Sequence, residues 1–524
     1  MPRTALNALD GREFDVVVIG GGVNGASGAH HLAAAGYSVL IVDKGDFAAG
    51  SSSRSSRLLH CGLRFIEPGE GLGYRNPSMW DYFTKPKDTI RNLRRARDSM
   101  VGRSELAGTM PERVKAFTFC FPVYSDSVYK PWQVSVGMRL LSALGPGDIP
   151  LDHKKIPARQ ALAMPMLKWL RAPEKLSAVF TFKEFRYEWP ERIAMDAILD
   201  AQRMGAVARN YTPAKKLERA TDGRWRVELG DTFDGAAKAT VLARSVLNTG
   251  GIWTDRINKL ATDNARRKIL GTKGAHIMFR LPPECADMGV IAHTKAREPH
   301  YVIPWRGMHY AGPTDTKYEG DIDDIHATEE EVEHLIDETN HMLPGLGLRR
   351  KDVFFSWAGV RPLTYDPDLP MGKRGHTLHD LKDDGMPGVF AMTSSPIQSH
   401  RFAGRLLAKA VGGYAQPSGS PQQIDYRAKP YPREGASPAL LNHWDGARIS
   451  DLHHAAKNEQ PATLVDLLFR RVGAGWTETM AREGARRAAE EVAPLLGWDE
   501  ARVEKEVADY LGHIARLHGV KADA

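Results

Sequence analysis

Gly20, Gly22 and Gly25 are spaced G-x-G-x-x-G, between the β-branched run DVVVIG and the small-residue stretch NGASGAHHLAAA. Glycines at these positions let the backbone approach a pyrophosphate closely, and a helix that starts there points its unpaired N–H groups at the negative charge. Asp43 closes the next apolar run, YSVLIVD, where a carboxylate can accept hydrogen bonds from an adenosine ribose. FAD and NAD fit this pattern equally well. The following segment, SSSRSSRLLHCGLRFIE, gathers hydroxyls, three arginines and His60 into 17 residues, a density that reads as an anion-handling site. Arg361 in WAGVRPL and Arg374 in GKRGHTL stand beside glycine or proline, where guanidinium forks can clamp phosphate or carboxylate.

These residues need a scaffold that brings them together. The run from Asp15 to Asp43 reads as strand, tight turn, helix and strand, one βαβ element of a doubly wound sheet if its strands are parallel. Val16 to Val42 lacks Asp, Glu, Lys and Arg, but its glycines, Asn24, His30 and His31 suit a buried strand-turn-helix better than a membrane span. TVLARSVLNTGG predicts another buried strand and YVIPW (Tyr301 to Trp305) a mixed-sheet strand. Thr328 and Glu331 form a capping box for a helix through EEEVEHLIDETNHML, which accounts for the acidic cluster Asp321, Asp323, Asp324, Glu329 and Glu330 without a metal. PSGSPQQ, 417–423, reads as a linker. Beyond it, ETMAREGARRAAEEVA predicts a helix stopped by Pro494, and Asp499 an N-cap for the next.

Composition sets the class. The chain has 524 residues, 42% hydrophobic and 26% charged, which excludes disorder and fibres. Its net charge of +7 suits anionic substrates or acidic lipid without demanding nucleic acid. Cys61, Cys120 and Cys285 lie far apart and form no CxxC, so neither a zinc site nor a disulfide framework is expected. The start, MPRTALNALDGREF, lacks the apolar core of a secretory signal, so a reducing, cytoplasmic setting is the expectation.

The segment GGGVNGASGAHHLAAAGYSVLIVDKGDFAAGSSSRSSRLLHCGLRFIE resembles the N-terminal signature of FAD-dependent glycerol-3-phosphate dehydrogenases. ARSVLNTGGIWTD, KGAHIMF, YVIPW followed by GPTDTKYEGD, WAGVRPL and DLLFRR are similar to that family's blocks in the same order. The resemblance implies an α/β fold: a glutathione-reductase-type FAD-binding domain, a mixed-sheet substrate domain and a C-terminal helical domain. The implied division is 1–416 for the two interleaved domains and 417–524 for the helical one. Within the first, the FAD-binding domain is expected mainly from 12–75, 176–260 and 350–415, and the substrate domain mainly from 76–175 and 261–349.

By the same resemblance Gly20, Gly22, Gly25 and Asp43 hold the adenosine diphosphate half of FAD, with Ser52, Ser53, Gly62, Leu63, Thr314 and Asp315 near the rest. Arg64, Arg361 and Arg374 fall on substrate-binding arginines. His60 falls on a histidine that a related flavin oxidase uses as base, and His276 is a second candidate. The implied reaction oxidises the secondary alcohol of a small phosphorylated polyol, glycerol 3-phosphate first, with membrane quinone as acceptor. An FAD oxidase of 2-hydroxy acids or amino acids, and a flavoprotein sensor without turnover, are the alternatives. The implied setting is the inner face of the membrane, bound peripherally to anionic lipid, with a homodimer possible. Pro131 to Leu144 is the candidate membrane helix, carrying Trp132, Val136, Leu140 and Leu144 on one face and Ser135, Arg139 and Ser142 on a polar stripe; the same pattern also suits a helix packed inside the substrate domain.

Three departures from the family stand out. Cys61 replaces a glycine and is expected to place a side chain near the flavin. AMTSSPIQSHR, Ala391 to Arg401, replaces a lysine-bearing block, leaving Ser394, Ser395 or Gln398 as neutral substitutes. The stretch from Gly69 to Gly108, with Trp80 and RNLRRARDSM, is expected to reshape the site's mouth.

Overall fold

β1 (Glu13–Ile19), α1 (Val23–Ala34) and β2 (Val39–Val42) form the βαβ unit, and β1 pairs in parallel with both β2 and the strand Lys238–Asn248. The β-branched run keeps β1 buried from Phe14 onward, as a central strand covered on both faces requires. The computed structural model describes residues 3–66, 84, 86–127, 129–296, 298–394, 396–432 and 437–519. Trp80 and Ser395 lie outside them. Small residues let α1 sit close to its neighbours: a Cβ on Gly28 would fall 3.1 Å from Leu407 Cδ1, and one on Gly404 2.3 Å from Ser27 Oγ.

An eight-stranded sheet grows from this unit, and a ten-stranded mixed sheet stands against it. Leu176–Tyr187 and Phe355–Thr364, which the sequence division assigns to the FAD-binding segments, both belong to the second sheet. The interleaving is therefore finer than those boundaries. Leu176–Tyr187 pairs along its length with Val114–Tyr124, so its place is set by a long-range partner that local pattern does not reveal.

The capping box forms as expected. The Thr328 N–H donates to Glu331 Oε2 at 2.9 Å, the Glu331 N–H to Thr328 Oγ1 at 3.3 Å, and the helix runs Glu329–Met342. Asp323 instead accepts from Trp253 Nε1 and Arg256 and pairs with Lys44. The 417–423 segment has no regular structure but is pinned to the end of α1, Gly419 N–H donating to Gly36 O and Gln422 N–H to Ala34 O.

Two C-terminal expectations need correction. Residues 477–484 are not part of the long helix, which is Ala485–Leu496, and Pro494 lies inside it. Helix termination falls to Gly497 in the left-handed region at φ 69°, and Trp498 N–H caps Ala493 O. Asp499 caps Glu500–His518 as predicted, its carboxylate accepting the Arg502 N–H at 2.8 Å. DLLFRR forms a turn of π-helix whose Arg470 and Arg471 are buried against Asp46. Pro131–Leu144 is helical over the predicted span. Val134, Met138 and Leu141 pack into the core, while Trp132, Val136 and Leu140 are 63%, 56% and 42% exposed.

Candidate functional site

One cavity of about 1710 Å³ runs between the two sheets, and its wall includes Gly20, Gly22, Asp43, Ser52, His60, Leu63, Arg64, His276, Asp315, Arg361 and Arg374. That volume exceeds what a drug-sized ligand needs and accommodates a dinucleotide with a small substrate. Gly25, Ser53, Gly62 and Thr314 stand behind the wall. A Cβ on Gly25 would meet Gly20 O at 1.8 Å, so Gly25 is what lets helix and loop close on each other. Ser53 Oγ donates to Gly50 O, and Thr314 Oγ1 accepts the Ala275 N–H. Gly62, at φ 88°, lies against the helix Pro86–Thr109, where a side chain would reach Ser99 Cβ at 2.9 Å.

At the first end lies the glycine turn. Gly22 is the N-cap of α1 and offers no side-chain cap, so the N–H groups that follow Val23 in the first turn are available to an anion. Val23 N–H donates to Ser52 Oγ at 3.0 Å, which ties the polar segment to the loop. Asp43 accepts the Gly21 N–H at 2.7 Å and the Gly45 N–H at 2.9 Å, and burial pushes its carboxyl up to about 6. These bonds fix the carboxylate at the end of β2, where a ribose would lie.

The polar segment from Ser51 does less anion handling and more stitching than its composition suggests. Ser51 Oγ donates to Val360 O, Trp357 Nε1 to Ser55 O and Tyr310 OH to Ser56 O. Arg57 is fully buried, its guanidinium 4.0 Å from the Trp476 ring, 4.3 Å from Trp305 and 3.6 Å from Glu191. Arg54 donates to Ile325 O. All three arginines of the segment border the cavity, and it is the Arg64 charge that acts on Asp315 beside the other two candidates.

The second end gathers charge from distant parts of the chain. Arg361 lies on the strand Phe355–Thr364 and donates to Asp315 Oδ1 at 3.0 Å; Arg374 pairs with Asp315 Oδ2. Burial pulls the Asp315 carboxyl up, but Arg361 and Arg374 hold it below the ordinary carboxylate range. Arg95, on the helix Pro86–Thr109, donates to the Arg374 carbonyl, so that helix does border the site.

His60 is clamped at its backbone. Its N–H donates to Gln398 Oε1 at 3.1 Å and its carbonyl accepts from Gln398 Nε2 at 3.3 Å. Burial, then the Arg64 charge, lowers the imidazole to about 4, so the ring is neutral and able to take a proton at physiological pH. His276 is placed differently: it stacks on Trp357 with ring centroids 4.8 Å apart, and its Nε2 faces Ser56 Oγ at 3.2 Å.

Glu184 escapes a sequence reading altogether, and Gln398 and Asp315, named from the sequence, make contacts it does not show. Gln398 acts through both backbone groups of His60, a contact between residues 338 apart in the chain. Glu184 accepts the Cys61 N–H at 2.8 Å, and burial pushes its carboxyl up to about 7 against the opposing pull of Arg103. Burial, then Glu184, raises the Cys61 thiol, which keeps it protonated. Asp315 faces arginines at this end of the cavity, and nothing in GPTDTKYEGD signals those partners.

Comparison with known proteins agrees with this architecture. Residues 15–410 match the family described as FAD dependent oxidoreductase. The chain is 31% identical over 423 residues to the glycerol-3-phosphate dehydrogenase of Synechocystis sp., covering 78% of this chain and 71% of that protein. It is 30% identical over 359 residues to the D-erythritol 1-phosphate dehydrogenase of Brucella abortus, covering 67% of this chain and 64% of that one. The crystal structure of the Bacillus halodurans glycerol-3-phosphate dehydrogenase complexed with FAD superposes with a TM-score of 0.70 at 19% identity, covering 98% of this chain and 96% of that one, which shows a shared fold. The chain belongs to the FAD dependent oxidoreductase family, and FAD is its cofactor.

Proposed function

We propose that the protein is an FAD-dependent dehydrogenase that oxidises the secondary alcohol of a small polyol phosphate, sn-glycerol 3-phosphate to dihydroxyacetone phosphate, and passes the electrons to quinone. The observation that carries this reading is the meeting of a neutral, clamped His60 with Arg64, Arg361 and Arg374 in the cavity that begins at the pyrophosphate turn. Bound FAD supplies the hydride acceptor. Arg64 and Arg374 hold the phosphate, Arg361 orients the reacting oxygen, and His60 takes the hydroxyl proton. The relatives named above act on polyol phosphates of two sizes, and the neutral Gln398 and Ser394 in place of a lysine leave charge recognition to the arginines.

Anaerobic bleaching of the flavin tests this directly. Glycerol 3-phosphate or a longer polyol phosphate is expected to reduce it, and lactate or glycine is not. Reduction by the carboxylates alone would establish the oxidase alternative; reduction by none of these compounds would point to a sensor. Within the same assay, Arg374→Ala removes one charged hydrogen-bond partner from a largely buried site. The expected loss is about 2 kcal/mol, read as an increase of about thirtyfold in the substrate concentration needed for half-maximal reduction, with the limiting rate little changed.

The electron acceptor calls for contact with a bilayer. Among the described residues no helix is long and apolar enough to cross one. The exposed Trp132, Val136 and Leu140, beside Arg139, form an apolar strip with a basic edge that can lie in the headgroup region of the inner leaflet. Flotation with anionic liposomes at low salt is expected to recover the protein, and the Trp132→Ser, Val136→Ser, Leu140→Ser variant is expected to stay at the bottom. Equal flotation of the two would remove this helix from the membrane contact.

A further inference from the structure

Both candidate substrate arginines pair with the carboxylate of Asp315. Arg361 Nη1 meets Oδ1 at 3.0 Å, Arg374 meets Oδ2, and the Arg361 Nη2 also donates to the Thr314 carbonyl at 3.3 Å. All three side chains reach the cavity without being fully open to water, at 26% exposure for each arginine and 31% for Asp315. The Arg64 charge acts on the same carboxylate. A second feature fixes where the fork sits. A Cβ on Gly274 would fall 2.3 Å from Arg361 Nη2 and 2.8 Å from its Cζ, so the guanidinium lies across the bare backbone of the neighbouring strand.

Two long arginine side chains brought into one partly dry cavity repel each other, and each gives up rotamer freedom to stay there. A carboxylate bridging them removes both difficulties before a ligand arrives. It also cancels part of the positive charge, which lowers the pull on any passing anion, and on a doubly charged one more than on a singly charged one.

Building on the phosphate reading above, we infer that Asp315 is a positioning residue for the Arg361–Arg374 fork and, through its charge, limits how strongly the site prefers a dianion over a monoanion. The sequence resemblance points elsewhere, to a contact between Asp315 and the flavin, and the two roles separate experimentally. Asp315→Asn keeps the shape and removes the charge. Asp315→Glu keeps the charge and moves it by one methylene.

The test measures the glycerol 3-phosphate concentration for half-maximal flavin reduction in the holoenzyme, together with competitive inhibition by sulfate, a dianion, and by methanesulfonate, a monoanion of similar shape. Asp315→Asn is expected to bind FAD normally, to need about tenfold more substrate because the fork is no longer held in place, and to prefer sulfate over methanesulfonate about fivefold or more strongly than the parent. Asp315→Glu is expected to need more substrate while keeping the anion preference, a split between position and charge that a merely structural role does not produce. An Asp315→Asn protein whose half-saturation and anion preference both stay within about twofold of the parent overturns the inference. Loss of FAD from that variant overturns it too, in favour of a flavin contact. Failure of the parental flavin to respond to any phosphate ester is a different result: it removes the proposed substrate class, while direct titration of sulfate and methanesulfonate, read from the change each makes in the bound flavin's absorbance, still reports on the fork.

Discussion

His60→Ala is expected to slow anaerobic flavin reduction by about 10²- to 10⁴-fold, the range that a positioned general base contributes. The argument rests on two properties of this histidine. Its imidazole is neutral over the working pH range, because burial and then the Arg64 charge lower it to about 4. Its backbone is held from behind, because Gln398 grips both the N–H and the carbonyl of the same residue. The sign of the pH dependence follows. The base works in its unprotonated form, so the reduction rate of the parental protein is expected to be level from pH 8 down to about 5, and to fall only as pH drops through the depressed value near 4. A histidine at its ordinary value would already have lost most of its rate at pH 5. In His60→Ala that acidic limb should be absent and the residual rate low throughout. Stopped-flow reduction at saturating glycerol 3-phosphate measures both quantities. A variant that loses less than about tenfold while keeping its FAD would move the base elsewhere, with His276 next to be tested. Gln398→Ala is the accompanying control, since it leaves the imidazole in place and loosens only its support; its rate should fall by less than that of His60→Ala.

The first βαβ unit was legible in full because its signals are local. A β-branched run, glycines at fixed offsets and an acid at the end of the next strand are all readable within thirty residues, and β1, α1 and β2 fall where they predict. The capping box at Thr328 and the Asp499 cap are legible for the same reason. The site itself draws on segments hundreds of residues apart, and there sequence identifies residue types without their partners. Arg54, Arg57 and Arg64 look alike in SSSRSSRLLHCGLRFIE and all border the cavity; only their partners separate a guanidinium boxed by tryptophans from one whose charge acts on Asp315. Asp315 and Gln398 show the same limit, since their partners Arg374 and His60 lie far away in the chain. Pro494 shows a different one. A proline near a helix end removes a single N–H, and tertiary packing of Ala485, Ala488, Ala489 and Val492 carries the helix past it.

Gly22→Val is expected to leave a folded protein that does not hold FAD. Three glycines make the turn, but they fail differently when given a side chain. Gly20 sits at φ 107°, where a side chain strains the backbone, and its Cβ would come 2.6 Å from Thr249 O. A Cβ on Gly25 would strike Gly20 O at 1.8 Å. Substitution at either site tests folding as much as binding. Gly22 has φ −71° and ψ 179°, extended values that valine adopts freely, and the nearest atom to its Cβ is Ser52 Oγ at 3.3 Å. The protein therefore tolerates the side chain, whereas a pyrophosphate drawn to the open N–H groups of α1 does not, because the valine methyls occupy its line of approach. A loss of affinity of about a hundredfold or more, about 2.7 kcal/mol, is expected. Absorbance near 450 nm against 280 nm gives the flavin content, which should fall well below half of the parental value. Thermal unfolding gives the control: Gly22→Val should unfold cooperatively at the temperature of flavin-stripped parental protein, since both lack only the stabilisation that a bound ligand confers. Stoichiometric FAD in a well-folded Gly22→Val protein would mean that the pyrophosphate does not lie against this turn, and the orientation of the cofactor along the cavity would have to be reversed.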